Sequence, residues 1–194
     1  MNRHPYHHGN LRAALLAEAE RTLRDQGIDQ LSLRDLARHA GVSHAAPRRH
    51  FADRQALLDA LAEAGYQRLD DQLHAAIDIA GDDHRTRLRA VAAAYIRFAT
   101  HDAALLELMY AVKSGPHSAA LDAASGRLLT TFDNEVREAQ QAGTLLPGDP
   151  GRVRLLILAI VQGIAGLITT GSIDARLADE LIADAAELFT HGPR

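Results

Sequence analysis

The sequence predicts an all-α protein of about nine helices: an N-terminal three-helix helix-turn-helix domain followed by a larger helical domain. Three observations carry that expectation. Alanine and leucine dominate while aromatic residues are only 4% of the 194-residue chain, a composition that favours helix over sheet. Apolar residues recur three and four apart along nearly the whole chain, with no alternating strand pattern. Each periodic segment is bracketed by a capping residue before it and a glycine or proline after it.

In chain order, Asn10 caps the first helix, which carries Leu11, Leu15, Ala19 and Leu23 on one stripe and stops at Gly27. Ser32 opens the second, with Asp35 three residues on in a capping-box-like pair. Gly41 then supplies the left-handed backbone of a sharp turn, Val42 plugs the corner, and Ser43 caps a third helix ending near Phe51. Pro47 keeps that third helix short. Asp53 caps a long fourth helix, about 54–80, with Leu57, Leu58, Leu61, Leu69, Leu73 and Ile77 along its apolar face. Asp82 or Asp83 starts the fifth, carrying Leu88, Val91, Tyr95 and Phe98. A sixth follows Asp102 and ends near Ser114, and a seventh with Leu121, Leu128, Phe132 and Val136 ends at Gly143. The eighth opens with Asp149 as cap and Pro150 in the first position. Asp174 caps the ninth, with Leu177, Leu181, Ala185 and Leu188.

Composition narrows the function. With no cysteine there is no disulfide framework and no thiolate nucleophile or metal site. No basic start followed by an apolar run marks a secretory signal. The longest apolar stretch, 155–170, is interrupted by Gln162 and is short of the roughly 20 residues a membrane span needs. A cytoplasmic protein without a membrane partner is expected. Neither a Ser-His-Asp arrangement, nor a Gly-rich phosphate loop, nor paired carboxylates in a supporting context appears, so no enzyme activity and no cofactor is expected. His4, His7 and His8 look like a metal cluster on paper but lack a neighbouring carboxylate, and no metal site is expected. The single lysine, Lys113, against 20 arginines reads as coding bias.

Charge is divided unevenly. The net −4 separates into +3 over residues 1–54, which also hold six of the 11 histidines, and −7 over the remainder. A basic head on an acidic body suits local contact with phosphates. Within that head, 32–54 places two short helices around Gly41. The major groove, roughly 12 Å wide, admits one helix whose first turn meets base edges. Ser43, His44, Ala45 and Ala46 form that turn: the alanines allow close approach and contact with thymine methyls, and His44 faces either a base edge or solvent. Arg48, Arg49, His50 and Arg54 stand behind it for phosphates, and Arg34 reaches a phosphate or a guanine. The alternative for the arginines is an ordinary solvated helix surface.

The eighth helix, apolar on nearly every side from Val153 to Ile168, must be buried on every side. Its own chain covers part of it. Ala159, Gly163, Gly166 and Leu167, with Leu181 and Leu188 of the ninth helix, are the expected contacts of a homodimer; a central core helix of a monomer is the alternative. For an effector site, Tyr95, Phe98, Met109, Tyr110, Phe132 and Gln162 combine apolar area with a few polar tips. Plain core packing accounts equally for Phe98, Met109 and Phe132.

At LSLRDLARHAGVS, the RHF turn and DRQALLDAL, the chain resembles the tetracycline-repressor (TetR) family. The resemblance implies a DNA-binding domain over 1–53 and an effector-binding and dimerisation domain over 54–194. It implies a double-stranded operator, an unidentified small-molecule effector and a second copy of the chain as partners. Ser32 and Arg34 match positions that in relatives contact phosphate or a base, and His44, Ala45 and Ala46 match the base-reading turn. His50 and Arg54 match backbone-contacting positions. Arg48 departs from a family tyrosine and cannot reproduce its aromatic packing. HPYHHGNLR and VQGIAGL resemble a subgroup with a Trp-x-x-x-His-Gly pattern; Leu158 and Gln162 before Gly163 depart from it, which leaves membership of that subgroup open. The function expected is a ligand-responsive regulator, a homodimeric repressor of a palindromic operator. The alternative is a helical interaction protein with weak or non-specific DNA binding.

Overall fold

The computed structural model describes residues 11–191, except for the side chains of Ala175, Leu188, Thr190 and His191. The histidines at 4, 7 and 8 and the Asn10 cap lie outside the described residues. Eight α-helices follow in order: α1 (Leu11–Gln26), α2 (Leu33–His39), α3 (Arg54–Ala80), α4 (His84–His101), α5 (Ala103–Lys113), α6 (Ala119–Gln141), α7 (Pro150–Thr169) and α8 (Ala175–His191). No strand occurs among the described residues.

The helices begin where capping chemistry predicts. Ser32 Oγ accepts from the Asp35 amide at 3.1 Å and donates to Asp35 Oδ2 at 2.6 Å. Asp53 accepts from Ala56 N, Asp83 from Thr86 N, Asp149 from Arg152 N and Asp174 from Leu177 N, each at 2.8 Å. Each of these oxygens satisfies one of the amides a first turn leaves unpaired.

The expected third helix is a correction. Residues 44–46 form turns and Pro47–Arg49 a single 3₁₀ turn, so the described residues hold eight α-helices where about nine were expected, within the same all-α class. Pro47 has no amide hydrogen with which to donate to Ser43 O in the i→i−4 ladder. The chain closes tighter bonds instead, Ala46 N to Ser43 O at 2.9 Å and His50 N to Pro47 O at 2.9 Å. Ser43 takes part through its carbonyl.

Two compact units group the described residues. The first holds 11–65 and 104–123. Leu15, Ala19 and Leu23 of α1, Leu36 and Ala37 of α2, Phe51, and Leu57, Leu58 and Leu61 of α3 form its core. Gly65 lets α5 come close to α3: a Cβ there would stand 2.7 Å from Met109 Sδ and 3.2 Å from Leu105 Cγ. The second unit holds 66–103 and 124–191 of the described chain. There α4 packs on α7 and α8, and α7 on α8. Val136, Ala139, Leu145 and Val153 form one core cluster with Leu88, Ile157 and Phe189 packed against it.

Candidate nucleic-acid interface

The DNA-facing segment is built on a rigid corner. Gly41, at φ 66°, ends α2 and turns the chain. Val42 N returns to Ala37 O at 3.0 Å, which fixes the start of the turn. Pro47 and Phe51 are buried, and they anchor the segment at two points four residues apart. Between and around these anchors, Ser43, His44, Ala45, Arg48, Arg49 and His50 are exposed, while Ala46 is half-buried.

The exposed basic side chains are unpaired. Among the described residues His44, Arg48, Arg49 and His50 make no side-chain hydrogen bond or ion pair. Arg34, also exposed, has no bonded partner among the described residues and only a through-space attraction to Asp35. The basic residues at the far end of α2 are engaged: Arg38 with Asp35 at 2.9 Å and His39 with Glu18 at 3.2 Å. Basic side chains are thus left open on the turn and at the start of α2, and engaged at the end of α2.

Two of the expected contacts have structural work. Arg54 Nε donates to Leu31 O at 2.9 Å, and its Nη2 to Ile28 O at 2.6 Å. Its guanidinium therefore ties the start of α3 to the segment ahead of α2, leaving its remaining N–H groups outward. Ser32 is occupied as the α2 cap. The adjacent Asp35 carboxyl is held below the ordinary carboxylate range, first by the Ser32 hydroxyl and then by Arg38.

Sequence reasoning missed Arg12. Its guanidinium lies 5.5 Å from the centroid of the buried Phe51 ring. A cation over a ring face keeps its in-plane N–H donors free. The signal was weak: one arginine at the start of α1, with nothing local to connect it to residue 51.

The effector-site residues divide. In the second unit Gln162 Nε2 donates to Tyr95 Oη at 3.2 Å, and the Tyr95 ring meets Phe132 edge-on with centroids 6.4 Å apart. These three are brought together. Phe98 is fully buried one turn beyond Tyr95 on α4. Met109, in the first unit, covers Gly65, and the Tyr110 side chain is exposed on α5. Among the described residues no group of three or more histidines or carboxylates could hold a metal ion.

On α7, Ala159, Gly163, Gly166 and Leu167 are all exposed. Leu155 and Leu156, both more than half exposed, continue the same stripe and were not expected there. A Cβ at Gly163 or Gly166 would meet nothing within 4 Å, so nothing in the chain itself requires glycine there. Leu181 is half-buried, and the Leu188 side chain lies outside the described residues. By length and composition α7 is apolar enough to cross a membrane. It is nevertheless packed on α4 and α8, and Arg154 bonds Asp133 of α6 through Nε at 2.8 Å.

Comparisons with known proteins bear on both ends of the chain. Residues 15–61 match the family model of bacterial regulatory proteins, tetR family, and residues 88–192 that of the tetracyclin repressor-like C-terminal domain. A solved protein of unknown function from Rhodococcus sp. RHA1 is 46% identical over 98% of both chains, with a TM-score of 0.88. The TetR family transcriptional regulator PfmR from Thermus thermophilus shares the fold at 20% identity, 93% and 98% coverage and a TM-score of 0.69. AibR, solved with isovaleryl coenzyme A and operator DNA, does so at 22% identity, 93% and 98% coverage and a TM-score of 0.71. No curated protein matches the chain. The chain therefore belongs to the tetR family of bacterial regulatory proteins, DNA-binding regulators of transcription with a helix-turn-helix head.

Proposed function

We propose that the protein is a homodimeric, ligand-responsive repressor that binds a palindromic operator and is released by a small-molecule effector. The observation that carries this reading is the set of exposed basic side chains without a bonded partner among the described residues, Arg34, His44, Arg48, Arg49 and His50, on and beside a turn anchored by buried Pro47 and Phe51. Charged groups normally acquire partners where they can; leaving several open on a fixed scaffold is the arrangement that phosphates complete. Arg34, His44, Ala45 and Ala46 read bases in this scheme. Arg48, Arg49, His50 and Arg12 take phosphates, while Ser32, Ser43 and Arg54 steady the segment. Residues 1–53 form the DNA-binding domain and 54–194 the effector and dimer domain.

The exposed stripe of Leu155, Leu156, Ala159, Gly163, Gly166 and Leu167 supports self-association, because so much contiguous apolar surface is stable in water only when covered. Two heads would then meet successive major grooves about 34–36 Å apart. Tyr95, Phe132 and Gln162 support an effector site in the second unit, with Phe98 behind them. An effector acts as a switch only by binding the DNA-released conformer more tightly. Acyl-CoA thioesters head the panel to test, since AibR is solved with one.

Selection of bound sequences from random DNA tests the reading, repeated with ligands and paired with sedimentation. A palindromic consensus, a dimer and ligand-induced release are expected. Arg34→Ala or His44→Ala should cost about 1–3 kcal/mol in discrimination at particular bases. Arg48, where the family has a tyrosine, favours the alternative, non-specific phosphate binding. A selection with no consensus, and affinity that falls with salt equally for all sequences, would establish that alternative.

A further inference from the structure

The loop joining α5 to α6 holds a cluster of titratable groups that DNA contact does not use. His117 Nδ1 meets the Gly115 carbonyl, and His117 Nε2 lies 2.9 Å from Asp122 Oδ1. Lys113, the only lysine in the chain, bonds the same carboxylate oxygen, and its Nζ is 3.2 Å from His117 Nε2. The next residue ties this loop to α3: Ser118 N donates to Asp59 Oδ2 at 2.7 Å. Asp59 is buried, and its other oxygen accepts from Gln55 Nε2 at 2.8 Å. Ser118 Oγ also caps α6, accepting from Leu121 N at 3.2 Å.

Hydrogen-bond accounting distinguishes two states of the ring. A charged imidazole has two N–H donors, and the geometry offers one acceptor to each, Gly115 O and Asp122 Oδ1. A neutral imidazole keeps only one. With its proton on Nδ1 and bonded to Gly115 O, the Nε2 lone pair turns to Lys113 and opposes the lone pairs of Asp122 at 2.9 Å; with its proton on Nε2 the ring keeps Asp122, and the Nδ1 lone pair opposes the Gly115 carbonyl. We propose that His117 is a proton-operated clasp: charged, it joins Gly115 to Asp122 and holds the α5–α6 loop, with the Ser118 amide, on Asp59 of α3; neutral, it keeps only one of the two partners and loosens that hold.

The groups around the ring are Lys113 from α5, Asp122 from α6 and, through Ser118, Asp59 from α3. Their balance favours the charged ring. The Asp122 hydrogen bond, followed by the Gly115 carbonyl, raises the His117 pKa against opposition from burial and Lys113. The Asp122 carboxyl is held below the ordinary range, by Lys113 first and His117 second. A raised histidine pKa stabilises fully below the ordinary imidazole value, about 6.5, and that stability is lost as pH rises through the raised value. The depressed carboxylate sets the other limit: its contribution is lost as pH falls through the depressed pKa of Asp122. The clasp is therefore closed between these limits and opens on the alkaline side. Asp59 lies on α3 five residues beyond Arg54, which bonds Leu31 and Ile28, so the loop and the DNA-facing head are fastened to the same helix.

The effect on operator binding rests on the function proposed above; the effect on the loop does not. Amide exchange at Ser118, corrected for its intrinsic pH dependence, is measured in the full chain while the His117 ring is titrated by NMR. Protection of Ser118 is expected to fall by up to about fivefold, the upper end for a solvent-exposed ion pair, in step with loss of the ring proton. His117→Gln, which cannot titrate, is expected to make it flat. Asp122→Asn, on the exposed rim, is expected to return the ring to its ordinary pKa and gives the same test if the first variant folds poorly. Ser118 protection that does not follow the ring, a pH dependence that survives His117→Gln, or a ring titrating at or below the ordinary value would each overturn the clasp. Operator affinity measured on the same samples should lose its matching pH dependence in His117→Gln. If no operator binds at all, the function proposed above fails while exchange still decides the clasp.

Discussion

In the 43–50 turn, Arg48 and Arg49 stand exposed with no carboxylate on either among the described residues. In the second unit, Arg87 and Arg154 are largely covered, and each faces acid. Arg87 bonds Glu135 and reaches Glu138 at 3.1 Å, and Arg154 bonds Asp133. The side chain is the same and its use is opposite. Where carboxylates surround it, the guanidinium is consumed in holding helices together; where none is near, its charge remains available to a polyanion. Arg54 lies between these extremes, exposed yet bonded to two backbone carbonyls. A chain with net −4 thus presents a basic turn because base exceeds acid by +3 within residues 1–54 and its excess of acid lies in the remainder.

The contrast can be broken most severely at the covered end. Glu135→Ala removes the partner of Arg87, whose Nε is already buried without a hydrogen-bond partner among the described residues. Arg87 would keep only the more exposed Glu138, and the loss of its buried partner should cost about 3 kcal/mol, read as a lower midpoint in urea unfolding. Arg54→Ala should cost about 1–2 kcal/mol by losing two charge-assisted bonds and should weaken DNA binding as well. A stability unchanged by that substitution would return Arg54 to a pure phosphate contact.

Ser32→Ala, which removes the α2 cap, should cost about 1 kcal/mol. It should also release Asp35 from its depressed pKa. That depression contributes stability above the ordinary carboxylate range and loses it as pH falls through the lowered value, so the variant should show a smaller acid-side decline in melting temperature. The smallest effect on stability belongs to the open end. Arg48→Ala with Arg49→Ala should stay within about 0.5 kcal/mol of the parent while lowering the salt slope of DNA binding by about 1 for each phosphate that is no longer neutralised. If that pair destabilises the fold, the two arginines are structural and the contrast fails.

Much of this was legible in the residues. The caps at Ser32, Asp53, Asp83, Asp149 and Asp174 were visible because capping is settled within four residues. The exposure of Ala159, Gly163 and Gly166 was expected from a helix apolar on nearly every side in a small chain. The reading element was half legible: Pro47 signalled shortening, but whether one α-turn survived depended on where the buried Pro47 and Phe51 pinned the backbone. Arg12 over Phe51 and Arg54 on Ile28 and Leu31 were not legible at all, since each spans more than 20 residues with no repeating pattern.

By itself the sequence determined the helices, their caps and stops, the uneven distribution of charge and the corner that a DNA reader needs. All of these depend on interactions within a few residues or on composition. Tertiary structure decided which cations remain free. It spent Arg54, Arg87 and Arg154 on acceptors distant in sequence and left Arg48 and Arg49 with none among the described residues. It also brought Lys113, His117 and Asp122 to one oxygen beside Asp59. A side chain's charge is written in its residue type, but whether that charge is neutralised depends on what packing brings within hydrogen-bond distance.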